Sequence, residues 1–116
     1  MNTEYFKEKL LEEKAILQEE LEAIALWNPT TEEWDVVPEH SDDTSDENDN
    51  ADRFEGFEER TAMVKALGAR MKDIVDALKK IEGDNYGICE ISGEPIEEDR
   101  LNANPAARTS KKHMNP

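Results

Sequence analysis

Asp84-Asn85-Tyr86-Gly87-Ile88-Cys89-Glu90-Ile91-Ser92-Gly93-Glu94-Pro95-Ile96 is the stretch on which the fold of this chain turns. Tyr86, Ile88 and Ile91 precede Ser92-Gly93, and Ile96 follows Glu94-Pro95, so the run reads as a small hairpin with its turn at residues 92 to 95. It continues through Arg100-Leu101-Asn102-Ala103-Asn104-Pro105-Ala106-Ala107, where Asn104-Pro105 marks a further turn or short helix that packs back on the hairpin. Tyr86, Ile88, Ile91, Ile96 and Leu101 are the apolar material for a miniature core.

Upstream, the pattern changes to helical spacing. Phe57, Val64, Leu67, Met71, Ile74, Leu78 and Ile81 alternate by three and four after a first step of seven, the seam expected of a coiled coil. Lys79 and Lys80 sit at the negative end of the helix dipole, and Gly83 offers a stop, so about 29 residues of helix end there. Nearer the N-terminus, Phe6, Leu10, Leu17, Leu21 and Ile24 form one stripe of an amphipathic helix over residues 4 to 27, ended by Asn28-Pro29. Two stripes in one short chain pair most economically with each other. The expected fold is therefore mainly α: an antiparallel helical hairpin over 1–83, followed by a small C-terminal β-hairpin module over 84–116. Pairing of one stripe between two chains is the alternative that periodicity leaves open.

Between the helices lies the most charged part of the sequence. Residues 28–52 contain Glu32, Glu33, Asp35, Glu39, Asp42, Asp43, Asp46, Glu47, Asp49 and Asp52 and no Lys or Arg. The segment is expected to be largely irregular, at the tip of the hairpin, anchored by Trp34, Val36 and Val37, with Pro38 arguing against a long strand.

Composition narrows the function classes. Of the 116 residues, 36% are hydrophobic and 37% charged, too little apolar material for a deep globular core. A net charge of −15 repels phosphate backbones, so direct nucleic-acid binding is not expected, and Arg108, Lys111 and Lys112 make only a slight basic tail. A basic groove or channel is the partner such a surface favours. No run approaches a membrane span, Met1-Asn2-Thr3-Glu4 lacks signal-peptide features, and a single cysteine, Cys89, excludes an internal disulfide. The expected location is the cytoplasm. His40 and His113 are far apart and no nucleophile elbow or phosphate loop occurs, so no enzyme is expected.

The run from Asp84 to Ala107 resembles the zinc-finger half of the TraR/DksA family, which reads Tyr-Gly-x-Cys-x-x-Cys-Gly-x-x-Ile, then Arg-Leu-x-Ala-x-Pro, then a second Cys-x-x-Cys. The resemblance covers about the last third of the chain, and a preceding helical hairpin is the family's order of parts as well. On that spacing the four zinc-ligand positions fall on Cys89, Ser92, Ser110 and His113. Structural zinc takes four thiolate or imidazole ligands, and a serine hydroxyl stays protonated near neutral pH, so only Cys89 and His113 remain as vestigial ligands. No bound cofactor is expected, although zinc is the family's. Packing is then expected to take the metal's place. Cys89 itself reads as a small, half-buried hydrophobe, because no neighbouring Lys, Arg or His is evident to lower its pKa.

The resemblance also implies a function. Family members that act on RNA polymerase carry an Asp-x-x-Asp-x-Ala pattern at the hairpin tip just before the second helix. Here Asp49-Asn50-Ala51-Asp52-Arg53-Phe54 matches both aspartates and places Phe54 where the alanine stands. The two carboxylates can reach a Mg²⁺ ion or basic residues in a polymerase channel, or cap the first turn of a helix, and the roles are compatible. The expectation is thus a monomeric transcription regulator that inserts its hairpin into the secondary channel of bacterial RNA polymerase. The alternative is a scaffolding coiled coil that self-associates through Leu67, Met71, Ile74 and Leu78.

Overall fold

A computed structural model describes residues 2–37 and 47–113, with the backbone alone for 47–55. The chain is mainly helical and carries one small antiparallel sheet: α1 (Thr3–Ile24), β1 (Ala25–Asn28), β2 (Glu33–Val36), α2 (Glu47–Glu82), α3 (Glu98–Ala103) and a 3₁₀ turn at Lys111–His113. It divides into two units, one of Met1–Ile16 with Arg70–Pro116 and one of Leu17–Ala69.

In the first unit the apolar stripes become a core. Phe6 and Leu10 of α1, Met71, Ile74 and Ala77 of α2, and Tyr86, Cys89, Ile96, Leu101, Ala106 and Ala107 are buried. Full burial of Phe6, Leu10, Ile74 or Leu101 stabilises the fold by about 1.5–3 kcal/mol each. The Phe6 and Tyr86 rings lie 5.8 Å apart, so an aromatic contact joins α1 to the residues after α2. Tyr86 Oη donates to the Pro105 carbonyl at 2.6 Å, which satisfies its one polar atom, and burial pushes the phenol up to about 12.

α2 ends in a Schellman arrangement, in which Asn85 N–H donates to the Lys80 carbonyl and Asp84 N–H to that of Ile81. The left-handed residue is Asp84, at φ 60°, and not the glycine before it. Gly83 N–H instead completes the last helical turn, to the Lys79 carbonyl.

The second unit differs from expectation. β1 and β2 form a hairpin, with Ala25 opposite Val36 and Trp27 opposite Trp34, inside the stretch read as helix and irregular loop. α1 stops at Ile24, three residues short of the expected end. Its carbonyl at Ile24 accepts from Val37 N–H at 3.1 Å, so the hairpin itself satisfies one orphan group of the last turn. Asn28 organises the connection: its Oδ1 accepts from Thr30 and Thr31 N–H and its Nδ2 donates to Asp35. Glu32, at φ 56°, completes the reversal. The two tryptophan rings meet edge to face at 5.5 Å, a cross-strand aromatic pair. A Cβ on Gly68 would lie 3.8 Å from the Trp34 ring, in ordinary contact, so α2 runs close to this ring. Leu17, Leu21, Ala25 and Val64 are buried here, whereas Leu26 points outward and is 67% exposed.

α2 is also longer than expected. It begins at Glu47, so Asp49 and Asp52 lie within the helix and not before it. The side chains of Asp49, Asp52 and Phe54, and all of residues 38–46, fall outside the described residues.

Candidate functional site

The module after α2 is built as a knuckle around Cys89. Gly87 and Gly93 take left-handed φ values of 83° and 74° and turn the chain on either side of it. Cys89 N–H donates to the Glu94 carbonyl at 2.8 Å, Gly93 N–H to the Cys89 carbonyl at 2.9 Å, and Ile96 N–H to that of Gly87 at 2.7 Å. The expected β-hairpin is thereby reduced to one isolated bridge, Ile88 with Pro95. Pro95 has no N–H to offer a ladder, and the Gly93 N–H is spent inside the turn. The connection closes as a knuckle before two strands can form.

Three of the four positions that the family resemblance marks for ligands, Cys89, Ser92 and Ser110, come together. Ser92 N–H lies 3.4 Å from Cys89 Sγ, and the backbone N–H groups of Ser110 and Ile91 also act on the sulfur. Cys89 is 1% and Ser110 6% exposed, whereas Ser92 is exposed. Burial acts to raise the thiol's pKa, but the Ser92 hydroxyl and these three N–H groups outweigh it and bring the pKa down to about 6. This corrects the reading of Cys89 as a half-buried hydrophobe with nothing to lower its pKa: it is fully buried, and hydrogen bonds lower the pKa without a charged neighbour. His113, half-buried, stands in the 3₁₀ turn with its N–H on the Ser110 carbonyl at 3.0 Å.

Two arginines anchor the module, and neither was singled out as an anchor from the sequence. Arg70 of α2 makes two parallel hydrogen bonds to the Glu13 carboxylate of α1, at 2.6 and 2.7 Å, and a third to Asn104 Oδ1 at 2.7 Å. The Arg70 guanidinium holds the Glu13 pKa below the usual carboxylate range. Arg108 reaches three carboxylates: Asp73 and Asp76 of α2, each at 2.7 Å, and Glu90 at 3.2 Å. Its hydrogen bond likewise lowers Asp76, and its own pKa is raised, because Asp76 and Asp73 outweigh the cost of partial burial. Arg108 is therefore no part of a free basic tail. The acids at 73 and 76, three apart on one face of α2, were the available signal.

Smaller ties close the rest. Arg100 Nε donates to the Thr109 carbonyl at 2.7 Å, the Glu97 carboxylate accepts from Lys111 N–H at 2.9 Å, and the Lys111 ammonium pairs with Asp99.

Residues 84–111 match the prokaryotic dksA/traR C4-type zinc finger. Over 108 residues, 92% of this chain and 69% of the relative, the chain is 35% identical to the RNA polymerase-binding transcription factor DksA of Caulobacter vibrioides. The chain belongs to the TraR/DksA family. A shorter match, 51% identical over 39 residues, covers 34% of this chain and 16% of the uncharacterized protein YteA of Bacillus subtilis. Among solved structures, transcription factor DksA2 from Pseudomonas aeruginosa superposes with a TM-score of 0.72 at 26% identity, covering 94% of this chain and 77% of that one.

For a TraR/DksA chain, the donor set is anomalous. A C4 zinc finger needs four thiolates, and this sequence has one cysteine. No group of three or more His, Cys, Asp or Glu side chains placed to hold a metal occurs among the described residues. Cys89, Ser92, Ser110 and His113, at the positions where the family resemblance puts ligands, do not make up the four thiolates of a C4 finger.

Proposed function

We propose that this TraR/DksA chain regulates transcription by binding bacterial RNA polymerase through its secondary channel, as an antiparallel coiled-coil hairpin (1–83) bearing a zinc-free finger module (84–116). The likeness to a polymerase-binding DksA over nearly the whole chain carries the reading. Charge supports it: ten acids and no Lys or Arg between residues 28 and 52 make this part of the chain a match for a basic channel. Asp49, Asp52 and Phe54 are the tip residues on this reading, and the partner is protein, with no direct nucleic-acid contact and no catalysis. Among the described residues no helix is long and apolar enough to cross a membrane.

The scaffolding alternative required Leu67, Met71, Ile74 and Leu78 to face a second chain. Met71 and Ile74 are 8% and 0% exposed within the single chain, which favours the monomer.

The test is co-sedimentation with purified bacterial core polymerase, then transcription in vitro. Association at micromolar protein is expected, with regulation abolished by Asp49→Asn together with Asp52→Asn and the fold unchanged. No association at that concentration would overturn the reading.

A further inference from the structure

The two segments that a finger's metal must join are here joined by other means. Cys89 holds the first ligand position and Ser110 the third; Glu90 follows the one, and Arg108 lies two residues before the other. Glu90 N–H donates to the Arg108 carbonyl at 2.8 Å, and the Arg108 guanidinium returns to the Glu90 carboxylate at 3.2 Å. Backbone and side chain thus link the same pair of residues twice. The remaining guanidinium N–H groups fix this pair to α2 through Asp73 and Asp76, and Lys80 lies 3.5 Å from the same Glu90 carboxylate.

The geometry of a guanidinium suits this task. It is planar, always charged, and offers donors in several fixed directions, so one side chain can hold three carboxylates on two chain segments at once. A lysine in its place would be a point charge and could not span them.

We propose that Arg108 takes over the cross-link that zinc supplies in a C4 finger, joining the Cys89 and Ser110 segments to each other and to α2. The proposal rests on the zinc-free reading of the module but not on polymerase binding. It assigns a positioning residue, and its signature is that Arg108 becomes dispensable once a metal is restored.

The experiment compares four chains: wild type, Arg108→Met, Ser92→Cys/Ser110→Cys, and the triple variant. Each is assayed for bound zinc and for thermal midpoint, with and without chelator. Wild type is expected to carry no stoichiometric zinc and to melt alike in both conditions. Arg108→Met should lower the midpoint by about 5–10 °C. The Ser92→Cys/Ser110→Cys chain, with Cys89 and His113, should take up one zinc per chain. In that zinc-loaded background Arg108→Met should cost less than about half as much, and chelation should restore the full loss.

An equal cost of Arg108→Met with and without the restored zinc would overturn the proposal, as would no cost at all. Failure of the two-cysteine chain to bind zinc would overturn it too, because the closed segments would not then occupy a metal site's geometry. Stoichiometric zinc in wild type, lost with the fold on chelation, would instead sink the zinc-free reading. Should Arg108→Met not fold, Arg108→Lys is expected to lose a smaller part of the midpoint and supports the same comparison.

Discussion

The carboxylates around the finger module and those on the β-hairpin sit in opposite surroundings. In the unit containing the finger module, Glu13, Asp73, Asp76, Glu90 and Asp99 each lie against an arginine or lysine. On the β-hairpin of the other, Glu32 and Glu33 are exposed and take part in no ion pair among the described residues. Where cations are interleaved with acids, charge is spent on holding chain segments together. Where acids stand alone, their repulsion opposes compactness and remains available to a positively charged partner. The same residue types thus hold chain segments together in one region and stand exposed and, among the described residues, unpaired in the other.

The largest effects should come from the apolar core of the finger-bearing unit, which both arginine clamps presuppose. Leu101 and Phe6 are 0% and 1% exposed. Leu101→Ala should cost about 2–5 kcal/mol and Phe6→Ala about 3–5 kcal/mol, measured by urea unfolding. A loss below about 1 kcal/mol at both positions would show that the unit is not built around this core.

A middle-sized effect is expected at Arg70. Arg70→Met removes a bidentate pair with Glu13 and the bond to Asn104, a group that also orients the Ala106 N–H. The pair is partly exposed, so solvent screening trims its worth to about 1–2 kcal/mol. If Arg70 acts through charge, raising the salt concentration should narrow the gap between variant and wild type. A gap independent of salt would assign the effect to packing of the arginine stem instead.

Why the helices were legible in the sequence and the anchors were not follows from range. The stripes at Phe6, Leu10, Leu17 and Leu21, and at Val64, Met71 and Ile74, repeat within each helix, and these residues are buried. The turn at residues 92 to 95 was readable because the φ of 74° at Gly93 is a local demand, but the two strands expected on either side of it shrink to one bridge, Ile88 with Pro95. Arg108 meets Asp73 across 35 positions and Arg70 meets Glu13 across 57, and no spacing rule connects residues so far apart. The β1–β2 hairpin was missed for another reason. Leu26-Trp27 continues the apolar content of α1, and the turn is set by the Asn28 side chain without a glycine. The Cys89 sulfur is held by the Ser92 hydroxyl and by the N–H groups of Ile91, Ser92 and Ser110; every residue type has such an N–H, so that part of its lowered pKa left no mark in the sequence.

pH separates the two kinds of tie within the finger-bearing unit. Glu13 and Asp76 have folded pKa values below their unfolded ones, so their contribution is present above the ordinary carboxylate range and disappears as pH falls through the depressed values. Cys89, at about 6 in the fold against 9.0 unperturbed, works in a different window. Between those values the native state holds fewer protons than the unfolded chain, so stability should rise from pH 6 to 9 and its gain should vanish below 6. Cys89→Ala should flatten that rise while leaving the acid limb intact. A wild-type profile already flat between pH 6 and 9 would mean that the sulfur stays protonated in the fold.

The smallest effect on stability is expected on the hairpin, and it sharpens the contrast most. Glu32→Gln with Glu33→Gln removes two exposed charges that hold nothing among the described residues, so unfolding should shift by less than about 0.5 kcal/mol. The sign should favour the variant slightly, because repulsion within a chain of net charge −15 is relieved. Polymerase association should move the other way: weaker binding, with a shallower dependence on salt, since rim charges act chiefly on encounter. Neutralising Glu13 should reverse the pattern, lowering stability and sparing association. If both variants changed stability alike and neither changed association, the division of labour between paired and unpaired acids would not exist, and the acidic surface would serve solubility alone.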